Sequence, residues 1–211
     1  MSDKLQIEEV EAERLQLEDI LNKLISKIGD IPIANNEMMP FGWRKAAKGR
    51  TVWRIVEEII SQNLEKYAVD LGFDKVTPAE SEVGVYDFQF SLGGNSDSYV
   101  NIKSSVLGGR KNKDDISKAE KLISFYTENE YPNLYVATFI ISFKDDMKIG
   151  LEKCIVFPTA WIPDIYVNPS NNGNLQSSKC KDLSSATKRT PVKFLELLIK
   201  ANIEAIAKKN S

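Results

Sequence analysis

Histidine is absent from all 211 residues of the chain, and this removes more chemistry than any other compositional fact. Without imidazole there is no Ser-His-Asp or Cys-His catalysis, no zinc-histidine site and no histidine-based metal nuclease centre. Cysteine is nearly as scarce. Cys154 and Cys180 stand alone, without a CxxC or companion ligands, as in a reduced intracellular protein with two incidental thiols. Long apolar runs are missing too: Ile55–Ile60 and Leu195–Ile199 are short or broken by charge, far below the roughly 20 residues of a membrane span. The acidic opening "MSDKLQIEEVEAE" lacks the apolar segment of a secretory signal. Neither GxxxxGK[ST] nor a GxGxxG between strand and helix occurs, so those phosphate cradles are unsupported. Any catalysis must come from carboxylates, Lys, Ser, Tyr, amides or a metal held by oxygen ligands.

What is present suits one globular domain, possibly with an appendage, since 42% of the residues are hydrophobic. A net charge of −2 alone argues against a nucleic-acid partner, but the charge is unevenly spread. Gly42–Arg54, "GWRKAAKGRTVWR", holds five basic residues and no acid, and Lys103–Lys113, "KSSVLGGRKNK", holds four and no acid. Lys179–Lys193 holds five against one aspartate, while residues 7–19 are dominated by acids. Such separation can build a basic cleft on a mildly acidic protein. Arg44, Lys48, Arg50, Arg110, Lys111, Lys179 and Arg189 are the candidate contacts to a phosphate backbone.

Periodicity predicts α/β architecture with a mixed central sheet flanked by helices. Residues 3–28 form an amphipathic helix with Val10, Leu17, Leu21, Leu24 and Ile28 on one stripe. Residues 1–30 are therefore expected to be an arm or dimerisation element, and 31–211 the main domain. A second helix spans about Arg50–Leu71. "VYDFQFSL", "GGNSDS" and "YVNIKSS" read as a hairpin, with Leu92 facing Tyr99 and Asp87 opposite Ser104. "DDISKAEKLISFYTEN" reads as a helix capped by Asp114 or Asp115, "LYVATFIISF" as a strand buried on both faces and "KCIVF" as a further strand. "PTAWIPDIYVNPSNNGNLQSSK" reads as a long loop, and Thr190-Pro191 as the start of a last helix.

The hairpin carries the chemistry. In "YVNIKSS", Val100 and Ile102 point one way, Asn101 and Lys103 the other. Asp87 arrives from the neighbouring strand. On the helix before, Glu57 lies at the margin of the buried face whereas Glu58 points nearly opposite. A carboxylate, an amide oxygen, the Ile102 carbonyl and an ammonium on adjacent strands are what phosphodiester hydrolysis asks for: oxygen ligands for Mg²⁺ and a cation near the water or scissile phosphate.

Glu57, Asp87 and "Asn101-Ile102-Lys103" resemble the PD-(D/E)xK nuclease superfamily, particularly type II restriction endonucleases, over roughly Gly49–Phe143. Two positions depart from the pattern: Tyr86 precedes Asp87 where Pro is usual, and Asn101 replaces the expected acid. The resemblance implies a restriction-endonuclease-like fold and a Mg²⁺-dependent, sequence-specific double-stranded DNA endonuclease acting as a homodimer in a prokaryotic cytoplasm. It implies Asp87, Asn101 and the Ile102 carbonyl as metal ligands, Lys103 to orient or activate water, and Glu57 to act through metal or water. The segment "NPSNNGNLQSS" would then read bases through Asn171, Asn172, Asn174 and Gln176, whose amides match adenine's major-groove edge. Three alternatives stay open: a repair or structure-specific nuclease, a catalytically silent DNA-binding protein, and a protein-interaction domain with an accidental motif.

Overall fold

The stripe of leucines at the N-terminus determines which side of the sheet is covered first. A computed structural model describes residues 2–44, 49–80, 84–109 and 113–209, with only the backbone described at 49 and 50. Helix α1 (Asp3–Ile28) opens on Ser2, whose hydroxyl accepts the Leu5 N–H, and closes on Gly29 at φ 68°, a conformation glycine adopts without a Cβ penalty. Leu17, Leu21 and Leu24 of α1 are fully buried. They join one apolar core with Val52, Val56, Ile60 and Leu64 of helix α2 (Gly49–Leu71). The segment expected to be an arm or dimerisation element therefore lies on the protein's own sheet.

That sheet has six strands: β1 (Ile31–Pro32), β2 (Lys75–Pro78), β3 (Phe88–Ser91), β4 (Ser98–Val106), β6 (Leu134–Phe143) and β7 (Lys148–Pro158). Their order is β1-β7-β6-β4-β3-β2, with β4 and β6 parallel and the other pairs antiparallel. The mixed central sheet expected from the pattern is thus present. A second sheet, β5-β9-β8, is built from β5 (Asp114–Lys118), β8 (Tyr166–Asn168) and β9 (Asn174–Ser177). Helix α3 (Ala119–Glu128) leads from β5 to β6, and α4 (Pro191–Lys209) packs against α3. Ser98 and Tyr135 turn toward α1, where both donate to Glu13 (2.8 and 2.6 Å). Tyr99 turns the other way, edge-on to Phe125 of α3. No described helix is long and apolar enough to cross a membrane.

Three expectations need correction. The β3–β4 register pairs Phe88 with Val100 and Phe90 with Ser98, three residues away from the predicted pairing, because Ser98 is buried and held by Glu13 of α1. "DDISK" is a strand rather than a helix start: Ile116 is buried and the segment pairs with β9. The presumed long loop contains a short 3-10 turn at Thr159–Trp161 and the β8–β9 hairpin. Asn172 and Gly173 turn that hairpin with φ of 52° and 71°, the left-handed values that Asn-Gly tolerates best.

Helix α1 also protects an edge. β1 pairs with only the first residues of β7, leaving backbone groups further along that strand without a neighbour. Asn22 fills this gap, donating to the Cys154 carbonyl (3.0 Å) and accepting the Cys154 N–H (2.9 Å), while Glu18 accepts the Val156 N–H (2.8 Å). Asn22→Ala leaves both Cys154 groups unpaired, and each such buried group costs about 1–3 kcal/mol. Urea unfolding should show a loss of at least ~1 kcal/mol with an unchanged m-value.

Candidate active site

β3 and β4 part company after the Phe88–Val100 pair, and the site grows from the edge this leaves open. In a strand the N–H and C=O of one residue leave on the same edge, and alternate residues share that edge. Val100, Ile102 and Ser104 thus address the β3 side. Val100 is still served, accepting the Asp87 N–H at 2.8 Å. Ile102 and Ser104 have no strand partner there, and two carboxylates take the place of one. Asp87 Oδ2 accepts the Ile102 N–H at 2.5 Å. Glu57 Oε1 accepts the Ser104 N–H at 3.1 Å and the Ser104 hydroxyl at 3.4 Å. The two N–H groups are two strand residues apart, about 6.6 Å, so the carboxylates are spaced by the backbone itself. Among the described residues, neither Asp87 Oδ1 nor Glu57 Oε2 has a hydrogen-bond partner.

The corrected register tightens the constellation. Asp87 sits one residue before the paired stretch and comes level with Asn101, on the face that Asn101 shares with Lys103. The predicted pairing with Ser104 would have put it on the opposite face. Glu57 is half-buried toward the strand and Glu58 is more exposed, though both line the same cleft. Glu57, Asp87, Asn101 and Lys103 all line one cleft of about 830 Å³. Its opposite wall is formed by Ile116, Ser117 and Lys118 of β5, with Asn174 of β9.

Electrostatics couple these groups. Burial pushes the Glu57 carboxyl up to about 7, Asp87 adds to that rise, and the Lys103 ammonium and the Ser104 donors oppose it. Asp87 is also raised by desolvation, against the Ile102 N–H and Lys103. Asp87 presents an open side to solvent, but its carboxylate stands in a crowded setting, and the direction of the shift follows from that crowding. A second full negative charge beside the first is therefore resisted.

Asn101 supplies the remaining polar atom. Its Nδ2 donates to the Val85 carbonyl (2.9 Å), which fixes the amide's orientation, and its Oδ1 is buried without a partner. With Asp87 and Glu57 this makes a donor set composed of oxygen, the chemistry Mg²⁺ takes while keeping several waters. The Ile102 carbonyl leaves β4 on the same open edge. No cluster of three or more carboxylate or thiol groups disposed to hold a metal occurs among the described residues, so a cation here depends on neutral oxygens as well as two carboxylates.

The predicted DNA contacts are more scattered. Asn171 donates to both oxygens of Asp115, and Gln176 donates to Asp115 Oδ1 (2.5 Å) while accepting from Asn168. Those amides are occupied in holding the second sheet. Asn172 is exposed at the hairpin tip, whereas Asn174 faces the cleft. Arg189 donates through Nη1 to the Ala160 and Ile162 carbonyls (3.2 and 2.8 Å), and burial lowers its pKa. Its guanidinium ties the 3-10 turn to the start of α4. Lys179 is exposed and 4.0 Å from Asp182, and exposed Arg44 lies over the Phe41 ring. Lys48, Arg110, Lys111 and the Arg50 side chain fall outside the described residues. Among the cleft residues that went unpredicted are Trp53 and Lys118. Trp53 stands four residues before Glu57, a helical spacing visible in the sequence, whereas Lys118 was hidden by reading β5 as helix.

No protein-family model matches the chain, and no curated protein does.

Glu57 makes a signed prediction. A folded-state value of about 7, against an ordinary value near 4.5, favours the neutral form in the fold. Its contribution is intact below pH 4.5 and is lost as pH rises through 7. Glu57→Gln keeps an acceptor for Ser104 without the titration. In metal-free buffer its melting temperature relative to the unsubstituted protein should climb between pH 4.5 and 7 and level off above. A difference that is flat with pH would contradict the assignment.

Proposed function

We propose that the protein is a Mg²⁺-dependent endonuclease that hydrolyses phosphodiester bonds of double-stranded DNA at specific sequences, in the manner of type II restriction enzymes. The observation that carries this reading is the pair of carboxylates anchored on successive free N–H groups of β4, with Lys103 and an unpartnered amide oxygen in the same cleft. Asp87 Oδ1, Asn101 Oδ1 and the Ile102 carbonyl would hold Mg²⁺, which supplies charge neutralisation at the phosphate. Lys103 places an ammonium beside the developing negative charge and orients the attacking water. Glu57, poised near neutrality, accepts a proton from that water at Oε2, as suits a general base. The order of α2, the β3–β4 hairpin, α3 and the parallel strand β6 supports a restriction-endonuclease-like arrangement. A palindromic site would be met by a two-fold homodimer. Since α1 is engaged with β7, such a dimer would use another surface.

A second reading, a structure-specific nuclease without sequence preference, is favoured by one observation: Asp115 occupies the amides of Asn171 and Gln176 that base readout would need. Plasmid DNA incubated with the protein and Mg²⁺ separates the two. Discrete bands support the specific enzyme, a smear the second reading, and intact plasmid defeats both.

Two substitutions test the assignments. Lys103→Ala should lower cleavage by at least about 100-fold while leaving DNA affinity within a few-fold in a filter-binding assay. Equal losses of both would reduce Lys103 to a phosphate contact.

Asn101→Asp tests the departure from the family pattern. A carboxylate there would set an oxygen against the Val85 carbonyl, which the Asn101 amide now satisfies. The variant should lose about 1–3 kcal/mol of stability, more at pH 8 than at pH 5, where a protonated acid can still donate. Thermal unfolding at the two pH values reads this directly.

A further inference from the structure

One face of α2 carries the next step. Trp53, Glu57 and Ser61 recur every four residues, so they form a single stripe along the cleft. Trp53 is exposed (36%) one turn before the reactive carboxylate, and the Arg54 guanidinium lies 4.5 Å from the centre of its ring. The indole lines the cleft together with Arg54, Lys103 and Lys118, and with the acids Glu57, Glu58 and Asp87. Size then decides what it can meet. A cleft of about 830 Å³ falls within the roughly 300–1,000 Å³ that encloses one small ligand.

We propose that Trp53 is a stacking platform for a nucleotide unstacked from the bound DNA, and that Arg54 and Lys118 hold the backbone on either side of it. The proposal rests on the nuclease reading of the cleft and adds that the site takes one strand rather than an intact duplex. A base enters by leaving its stack, and any base can use the indole face because stacking is tolerant of sequence. Asn174, paired with Lys118 across β5 and β9, is the amide within reach of an edge of that base. The Arg54 guanidinium, now over the indole ring, moves to the adjoining phosphate.

Tryptophan emission tests this with oligothymidylate and a mixed-sequence duplex of equal length, in EDTA so that neither is cut. Trp161 is buried, and Trp43 is edge-packed on Phe143 with its N–H on the Lys144 carbonyl. Quenching that is lost in Trp53→Phe therefore reports Trp53. Oligothymidylate should quench emission and bind at least as tightly as the duplex. Trp53→Ala should weaken oligothymidylate binding about 5- to 150-fold, and Trp53→Phe should keep most of the affinity while losing the quench. Unchanged affinity in Trp53→Ala, or binding without quenching, overturns the platform and leaves the nuclease reading standing. Failure of both DNAs to bind, in EDTA and again with Ca²⁺ in its place, overturns the nuclease reading along with it.

Discussion

The site depends on a strand edge that its neighbour abandons. β4 stays paired with β6 along its length, while β3 leaves it after Val100. Buried backbone donors do not stay unpaired, and the donors of Ile102 and Ser104 are met by carboxylates instead of a strand. Asp87 and Glu57 are thereby placed by main-chain geometry, which does not drift as exposed rotamers do. One oxygen of each is bonded to the strand. The same vacancy opens the cleft, so the acids and the space they line share one origin.

Absence of histidine shapes what this edge must do. A chain without imidazole lacks a side chain that titrates near neutrality unperturbed, and here burial brings a carboxyl to about 7 in its place. The cost is a fold that tolerates two acids side by side, moderated by Lys103 and the Ser104 and Ile102 donors. Asn101 in place of a third acid is consistent with this balance. Its amide closes the Val85 carbonyl and adds no further negative charge to a crowded edge.

Local periodicity made the helices legible. Val56, Ile60 and Leu64 define the buried side of α2, and from them the half-buried Glu57 and the solvent-facing Glu58 follow. The grouping of Asp87, Asn101 and Lys103 was legible too, but their register was not. The turn "GGNSDS" admits several pairings, and the choice is made by Ser98 bonding to Glu13, 85 residues away, which no local pattern encodes. β5 was misread for a similar reason, since "DDISKAEKL" carries helix-start residues and only its pairing with β9 makes it a strand. The β8–β9 hairpin is a different case. Asn172-Gly173 between Val167 and Leu175 is a turn signal that was present and passed over as loop composition.

The fastening of α1 to β7 also orders events in time. Asn22 and its partner Cys154 are 132 residues apart. At about 5–20 residues per second of synthesis, the leucine stripe of α1 waits roughly 7 to 26 seconds for the strand it covers. Through that interval α2 is the partner made first for the stripe. β7, once made, offers an open edge until the helix docks. Contacts this distant slow folding, and an unpaired strand edge is a template for pairing with other chains until the helix covers it.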